Sequence, residues 1–336
     1  MIKIIYLIPL DSVGGGVEVA AKGVRNISHQ NFNFDVRYIC KKKSELFSPI
    51  VFLKAAMNIY SAKPDVMILS LWRAQLVGVF LKLLMPRTKV IFFVHSAKDA
   101  HFLDYFLSRL TLIMATEVWG DSITSLKERF RHTSKKIQTG RIVVFNARNI
   151  NKLKQQSVKP NFIFWGRVGK EKGVSRALII FSKIHKYYPH ATFRIIGSDG
   201  GTLSEVKNLC DSLNINNAVT FYNEMEFLQI QKFAEKSCFY LQTSLYEGAA
   251  MSVMESMKLG LLPIVTPVGE ISRYCTSNNS VIVRSNNEAV RDIMMVLESN
   301  ERYLYLTKNA SLKFSSQLSY VESMIKNLED MVQEWF

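Results

Sequence analysis

The sequence predicts an α/β protein built from two doubly wound domains that face each other across a cleft. Three observations predict it. Short apolar runs alternate with amphipathic stretches of helical spacing along most of the chain. That alternation breaks over Asn146 to Pro160, a polar and basic segment ending in proline, and then restarts. The length of 336 residues exceeds what one core usually supports, and 48% hydrophobic residues suffice for two.

The elements follow in order. Residues 2–8 are almost continuously apolar, as a strand covered on both faces should be. Further strands are expected at 34–40, 65–70, 88–94, 116–119 and 141–145. Helical periodicity fills the intervals at 17–29, 45–61, 73–85, 100–114 and 121–131. After the break, strands are expected at 161–165, 191–197, 218–221, 238–242, 262–265 and 280–283. Helices are expected at 173–187, 202–213, 226–235, 251–259, 287–298 and 301–332. The domains are therefore drawn as 1–150 and 151–318. A last amphipathic segment, 319–336, is a candidate for crossing back to the first domain.

The bulk numbers restrict the function. A net charge of +15 attracts anionic partners: phosphorylated substrates, an anionic membrane surface or nucleic acid. Its basic residues cluster at Lys41–Lys43, Arg129–Lys136 and Lys152–Lys159. No zinc-finger spacing or RNA-binding aromatic signature accompanies them, so nucleic acid is set aside. Cys40, Cys210, Cys238 and Cys275 form no C-x-x-C pair, which argues against a zinc site or disulfide framework and favours a reducing, cytoplasmic compartment. The N-terminus reads as a first strand rather than a signal peptide. The longest apolar runs are interrupted by charge, so membrane association would be peripheral, on the inner face of the plasma membrane.

Residues 245–257 carry the strongest chemical signal. Glu247 lies where a strand ends and Glu255 lies eight positions on, in the next helix. Such a strand-to-helix loop is where open α/β sheets bind phosphorylated ligands. Gly248 allows close backbone approach, and the amides of Ala249 and Ala250 can meet sugar or phosphate oxygens. Without a ligand, the same residues serve as a helix cap and a solvated carboxylate. The loop after residue 165 holds Arg167 and Lys172, two cations suited to a diphosphate. A loop after the first strand contains Gly14, Gly15 and Gly16; its spacing does not fit a dinucleotide fingerprint. His95 ends a strongly apolar strand, and turns at 196–201 and 266–270 occupy equivalent strand ends. No Asp-x-Asp triplet is present, so no metal ligands are assigned.

Taken in order, these motifs resemble the retaining glycosyltransferases of family 4, of the bacterial surface-polysaccharide type, whose GT-B fold pairs two Rossmann-like domains. The resemblance runs from Gly14 to Gly269. It implies that Arg167 and Lys172 bind the donor diphosphate, that Glu247 meets the transferred sugar and that Glu255 holds the ribose. It also implies that His95 lies beside the sugar, and that Gly15 and Gly16 face the phosphates. The usual E-G-F-G is replaced by Glu247-Gly248-Ala249-Ala250. The expected activity is metal-independent retaining transfer from a UDP- or GDP-sugar to a glycan or lipid-linked acceptor, as in O-antigen or capsule synthesis, with no cofactor. The alternatives are a nucleotide-sugar epimerase of the same fold and a polysaccharide-synthesis scaffold without turnover.

Overall fold

The computed structural model describes residues 1–11, 16–25, 27–96, 98–130, 135–143, 157–314 and 318–335. The chain divides into two compact units: Met1–Phe145 together with Leu318–Phe336, and Asn146–Gln317.

The first unit begins with β1 (Ile2–Leu10), α1 (Gly16–Gly23), β2 (Phe32–Cys40), α2 (Pro49–Ala62), β3 (Val66–Ser70) and α3 (Leu71–Leu84). It continues with β4 (Lys89–Val94), α4 (Phe102–Met114), β5 (Glu117–Gly120), α5 (Ile123–Arg129), α6 (Lys135–Gln138) and β6 (Arg141–Ile142). The strands form one parallel sheet in the order β2-β1-β3-β4-β5-β6. On one face, Leu7, Leu69 and Phe92 of the sheet pack with Ile59 of α2 and Leu81 of α3. Strand order reverses between β1 and β3, the position at which open α/β sheets leave room for a ligand.

The second unit runs β7 (Asn161–Trp165), α7 (Val174–Tyr187), β8 (Thr192–Ile196), α8 (Leu203–Ser212), β9 (Val219–Tyr222), α9 (Phe227–Ala234) and β10 (Phe239–Gln242). Then come α10 (Met251–Leu259), β11 (Leu262–Val265), α11 (Ile271–Tyr274), β12 (Val281–Ile282), α12 (Asn286–Leu297) and α13 (Asn300–Leu312). Its parallel sheet has the order β12-β11-β10-β7-β8-β9. Here the reversal lies between β7 and β10. Phe162 and Phe239, on these two strands, stack at 5.0 Å.

The expected helix over 301–332 is two helices, α13 and α14 (Tyr320–Trp335). A capping box starts the second. Ser319 Oγ accepts from Glu322 N at 3.2 Å, and the Glu322 carboxylate accepts from Ser319 N at 2.7 Å. α14 belongs to the first unit, where Asn327 Nδ2 donates to the Ile142 carbonyl and Lys89 Nζ lies 4.7 Å from the Trp335 ring centroid. The expected helix at 45–61 starts instead at Pro49, because proline suits the first helical position; residues 43–47 form a 3₁₀ turn. α1 stops at Gly23, six residues before its expected end.

Arg129 does not contribute surface charge. It is buried, with Nε 2.8 Å from Asp99 and one terminal nitrogen 2.7 Å from Asp104. The four cysteines are buried and free. Burial pushes the Cys210 thiol up to about 11 and Cys275 up to about 12, so both stay protonated and unreactive near neutrality.

Candidate active site

The reversal between β7 and β10 brings together two loops that sequence alone leaves far apart. Gly173 ends the loop after β7 at φ 64°, and a Cβ there would lie 2.0 Å from the Thr243 carbonyl oxygen. A side chain at 173 would therefore separate this loop from the one after β10. Thr243 Oγ1 donates to the Gly173 carbonyl at 2.7 Å, and Leu245 N donates to the Glu171 carbonyl at 2.8 Å. Thr266 Oγ1, after β11, donates to the Ser244 carbonyl at 2.5 Å and ties a third strand end to the same place.

This framework fixes Glu247. Its Oε1 accepts from Lys172 Nζ, Gln242 Nε2 and Ser244 Oγ, each at 2.7 Å. Gln242 is itself oriented: its Oε1 accepts from Tyr240 at 2.5 Å and from Ser252 at 2.9 Å. Burial, with the Glu247 and Glu255 charges nearby, holds the Tyr240 hydroxyl well above its usual pKa, so it remains a donor. A carboxylate with three donors on one oxygen has a set direction, and Lys172 balances its charge in a nearly dry site.

Glu255, on α10, is 5% exposed. Its Oε2 accepts from the Trp165 indole at 2.9 Å, linking α10 to the end of β7. A buried carboxylate needs such a donor. Lys258, one turn on, has its pKa lowered by burial, with Glu255 opposing that shift.

Arg167 is not on the Glu247 cradle. Its side chain is 61% exposed and its Nε donates to Glu171 Oε1 at 3.1 Å, within its own loop. Gly248 accepts from Glu270 N at 3.2 Å, so the turn at 266–270 packs under the Glu247 loop. Ala249 and Ala250 are buried, and their carbonyls lie 3.0 and 3.4 Å from the Tyr274 hydroxyl. Ala250 caps α10 in the left-handed region, at φ 53° and ψ 60°. A glycine meets that requirement without strain, which gives a physical reason for the second glycine of E-G-F-G. The turn at 196–201 is local chemistry: Asp199 accepts from Gly201 N at 2.7 Å and Leu203 N at 3.2 Å, and these bonds lower its carboxyl pKa.

Three predicted residues, His95, Gly15 and Gly16, belong to the first unit. His95, one residue past β4, has a side chain only 3% exposed. Its Nε2 is 2.7 Å from Ser70 Oγ, which donates to Tyr6, and its Nδ1 is 3.7 Å from Asp121. The structure thus sets His95 in a buried polar chain. Gly16 opens α1, and Gly15 lies outside the described residues. At the β1/β3 reversal a pocket of about 200 Å³ is lined by Leu10, Glu18, Leu71, Trp72 and Arg73. The Arg73 guanidinium lies 4.2 Å from the Trp72 ring centroid, and its buried Nε has no hydrogen-bond partner among the described residues. Leu71 takes a positive φ of 67° at this edge.

Sequence reasoning missed Gln242, Ser244 and Trp165 as supports; it names Arg73 only as one of several basic residues of the first domain suited to a lipid-diphosphate acceptor. Gln242 did carry a signal: an amide inside an apolar strand must find partners there. Among the described residues, no group of three or more His, Cys, Asp or Glu comes together to hold a metal ion.

Residues 145–313 match the family model described as glycosyl transferases group 1. The chain belongs to the group 1 glycosyl transferases. The matched span contains both candidate glutamates of this glycosyltransferase and the Lys172 loop. Among solved structures it is similar to Anabaena HepE in complex with UDP-glucose, at 14% identity over 99% of this chain and 100% of that one, with a TM-score of 0.81. A sucrose-phosphate synthase from Thermosynechococcus elongatus is 14% identical over 99% and 100%, with a TM-score of 0.79. The lipopolysaccharide outer core galactosyltransferase WaaB is 15% identical over 98% and 100%, with a TM-score of 0.69. At these identities the likeness is one of fold, and the glycosyltransferase has the GT-B fold. No curated protein matches its sequence.

Proposed function

We propose that this glycosyltransferase moves a sugar, with retention, from a nucleoside diphosphate sugar to an acceptor hydroxyl. The observation that carries the reading is the Lys172–Glu247 pair at the β7/β10 reversal. Lys172 and Arg167 bind the diphosphate; each now pairs with a carboxylate, so phosphate oxygens replace one anionic partner with another. Glu255, held by Trp165, binds the ribose. Glu247 receives the sugar hydroxyls. The bond between the anomeric carbon and the diphosphate oxygen breaks, the acceptor oxygen bonds the same face of that carbon, and the acceptor proton passes to the departing phosphate oxygen. Lys172 and Arg167 stabilise the charge that develops there, the role a divalent cation fills elsewhere, and so we propose metal-independent transfer.

The acceptor reading is a lipid-linked glycan, in the assembly of O-antigen or capsule, at the inner face of the plasma membrane. The Arg73–Trp72 pocket supports it, offering a guanidinium whose buried Nε has no hydrogen-bond partner among the described residues, and an indole face for a sugar ring. Similarity in fold to a lipopolysaccharide galactosyltransferase supports the same class.

Glu247→Gln tests the reading. Transfer should fall on the order of 10²–10³-fold while nucleotide affinity stays near wild type. Transfer that survives would remove Glu247 from the reaction. Nucleotide binding by the wild type with neither transfer nor hydrolysis would favour the scaffold alternative.

A further inference from the structure

Helices that are apolar on every side normally lie inside a protein. α2, α3 and α4 are apolar on two sides, and one of those sides faces outward. Their inner residues, among them Ile59, Leu81 and Leu112, belong to the core of the first unit. The outer residues are equally apolar. On α2, Ile50, Leu53 and Met57 recur at helical spacing and are exposed. On α3 the exposed set is Leu76, Phe80 and Leu83. On α4 it is Phe102 (77% exposed), Phe106 and Ile113 (74% exposed). α3 packs between α2 and α4, so the three stripes adjoin. Exposed apolar patches of this kind mark interaction surfaces.

Charge selects the occupant. α2 and α3 contain no carboxylate, and the one on α4, Asp104, is buried against Arg129. Between residues 41 and 114 there are eleven lysines and arginines against four acidic residues. All four are committed internally, Asp65 by accepting from the Lys3 amide at 2.8 Å. Glu45 accepts from the Lys41 and Lys42 amides, and Asp99 and Asp104 pair with Arg129. Lys41, Lys42, Lys54, Lys63, Arg87 and Lys98 are exposed. A second copy would bring the same cationic face and repel it. Among the described residues, no helix is long and apolar enough to cross a membrane.

We infer that α2, α3 and α4 form a docking face for an anionic lipid bilayer. Apolar side chains enter the acyl boundary and the surrounding cations meet the headgroups. Phe47, exposed at one edge of this face, lies 5.3 Å from the Arg73 guanidinium, so the face reaches the pocket at the β1/β3 reversal.

Co-sedimentation of the full chain with vesicles tests the inference. The vesicles are phosphatidylcholine alone, or phosphatidylcholine mixed with phosphatidylglycerol. The wild type should bind the mixed vesicles, in a salt-sensitive way, and not the neutral ones. Leu53→Glu, Phe80→Glu and Phe106→Glu together should lower that binding at least about tenfold. Leu228→Glu with Tyr305→Glu, exposed positions on the second unit, should leave it unchanged. Lys54→Glu with Arg87→Glu should lower it without touching the apolar stripe. A cooperative urea unfolding transition, read on each variant, reports the fold and keeps this test separate from the donor reading. Equal vesicle binding by the triple variant and the wild type would overturn the inference. So would absence of binding to mixed vesicles at low salt, or a wild-type dimer in sedimentation velocity that the triple variant abolishes.

Discussion

The sheets reverse strand order at β1/β3 and at β7/β10, and the two reversals hold opposite chemistry. At β7/β10 one carboxylate oxygen collects Lys172, Gln242 and Ser244, on loops pinned to each other through Gly173 and Thr243. At β1/β3 a guanidinium stacks on an indole inside an apolar pocket, with its Nε unpaired among the described residues. Topology selects both places, and side chains decide what each can hold. The first is a directional carboxylate whose charge Lys172 balances. The second is a guanidinium with one donor free among the described residues, in a small pocket that Glu18 also lines.

The largest expected effect sharpens that contrast. Lys172→Ala should weaken UDP or GDP binding by about 1.5–3 kcal/mol, the worth of a charged hydrogen bond. Arg73→Ala should leave nucleotide affinity unchanged and raise KM for a phosphate-bearing acceptor. Equal loss of nucleotide affinity in both variants, by calorimetry, would erase the distinction between the two reversals.

A smaller effect concerns the support of Glu255. Trp165→Phe keeps the ring and removes the indole donor, leaving a buried carboxylate short of a partner. Stability in urea should fall by about 1–3 kcal/mol. An unchanged midpoint would show that Trp165 does not hold Glu255.

The smallest effect has the opposite sign. Ala250→Gly relieves a left-handed alanine, and after the extra entropy of an unfolded glycine it should stabilise by roughly 0.5–1 kcal/mol. A loss of stability would mean the Ala250 methyl packs well enough to outweigh its strain.

The fold was legible because buried parallel strands such as Ile2–Leu10 are almost wholly apolar and stand apart from helical periodicity. Local signals were legible but misread at Pro49 and at Ser319-x-x-Glu322, where a helix start overrides a continuing apolar pattern. Candidate residues were found where charge follows a strand, as at Lys172 and Glu247. Their relation was not readable: 75 positions separate them, and only the β7–β10 pairing joins them. Arg167 and Arg129 look alike in sequence. Partners distant from Arg129 in the chain, Asp99 and Asp104, bury it, while Arg167 remains on the surface beside Glu171. The outward apolar faces of α2 to α4 resembled core because periodicity records spacing and says nothing of what covers a face.

The measurement that bears most directly on the donor site is calorimetric titration of the wild type and Lys172→Ala with UDP- and GDP-sugars, with chelator and then with Mg²⁺. One nucleotide class should bind the wild type in chelator, and Lys172→Ala should lose most of that affinity. Absence of binding by either class, or binding indifferent to Lys172, would contradict the donor assignment.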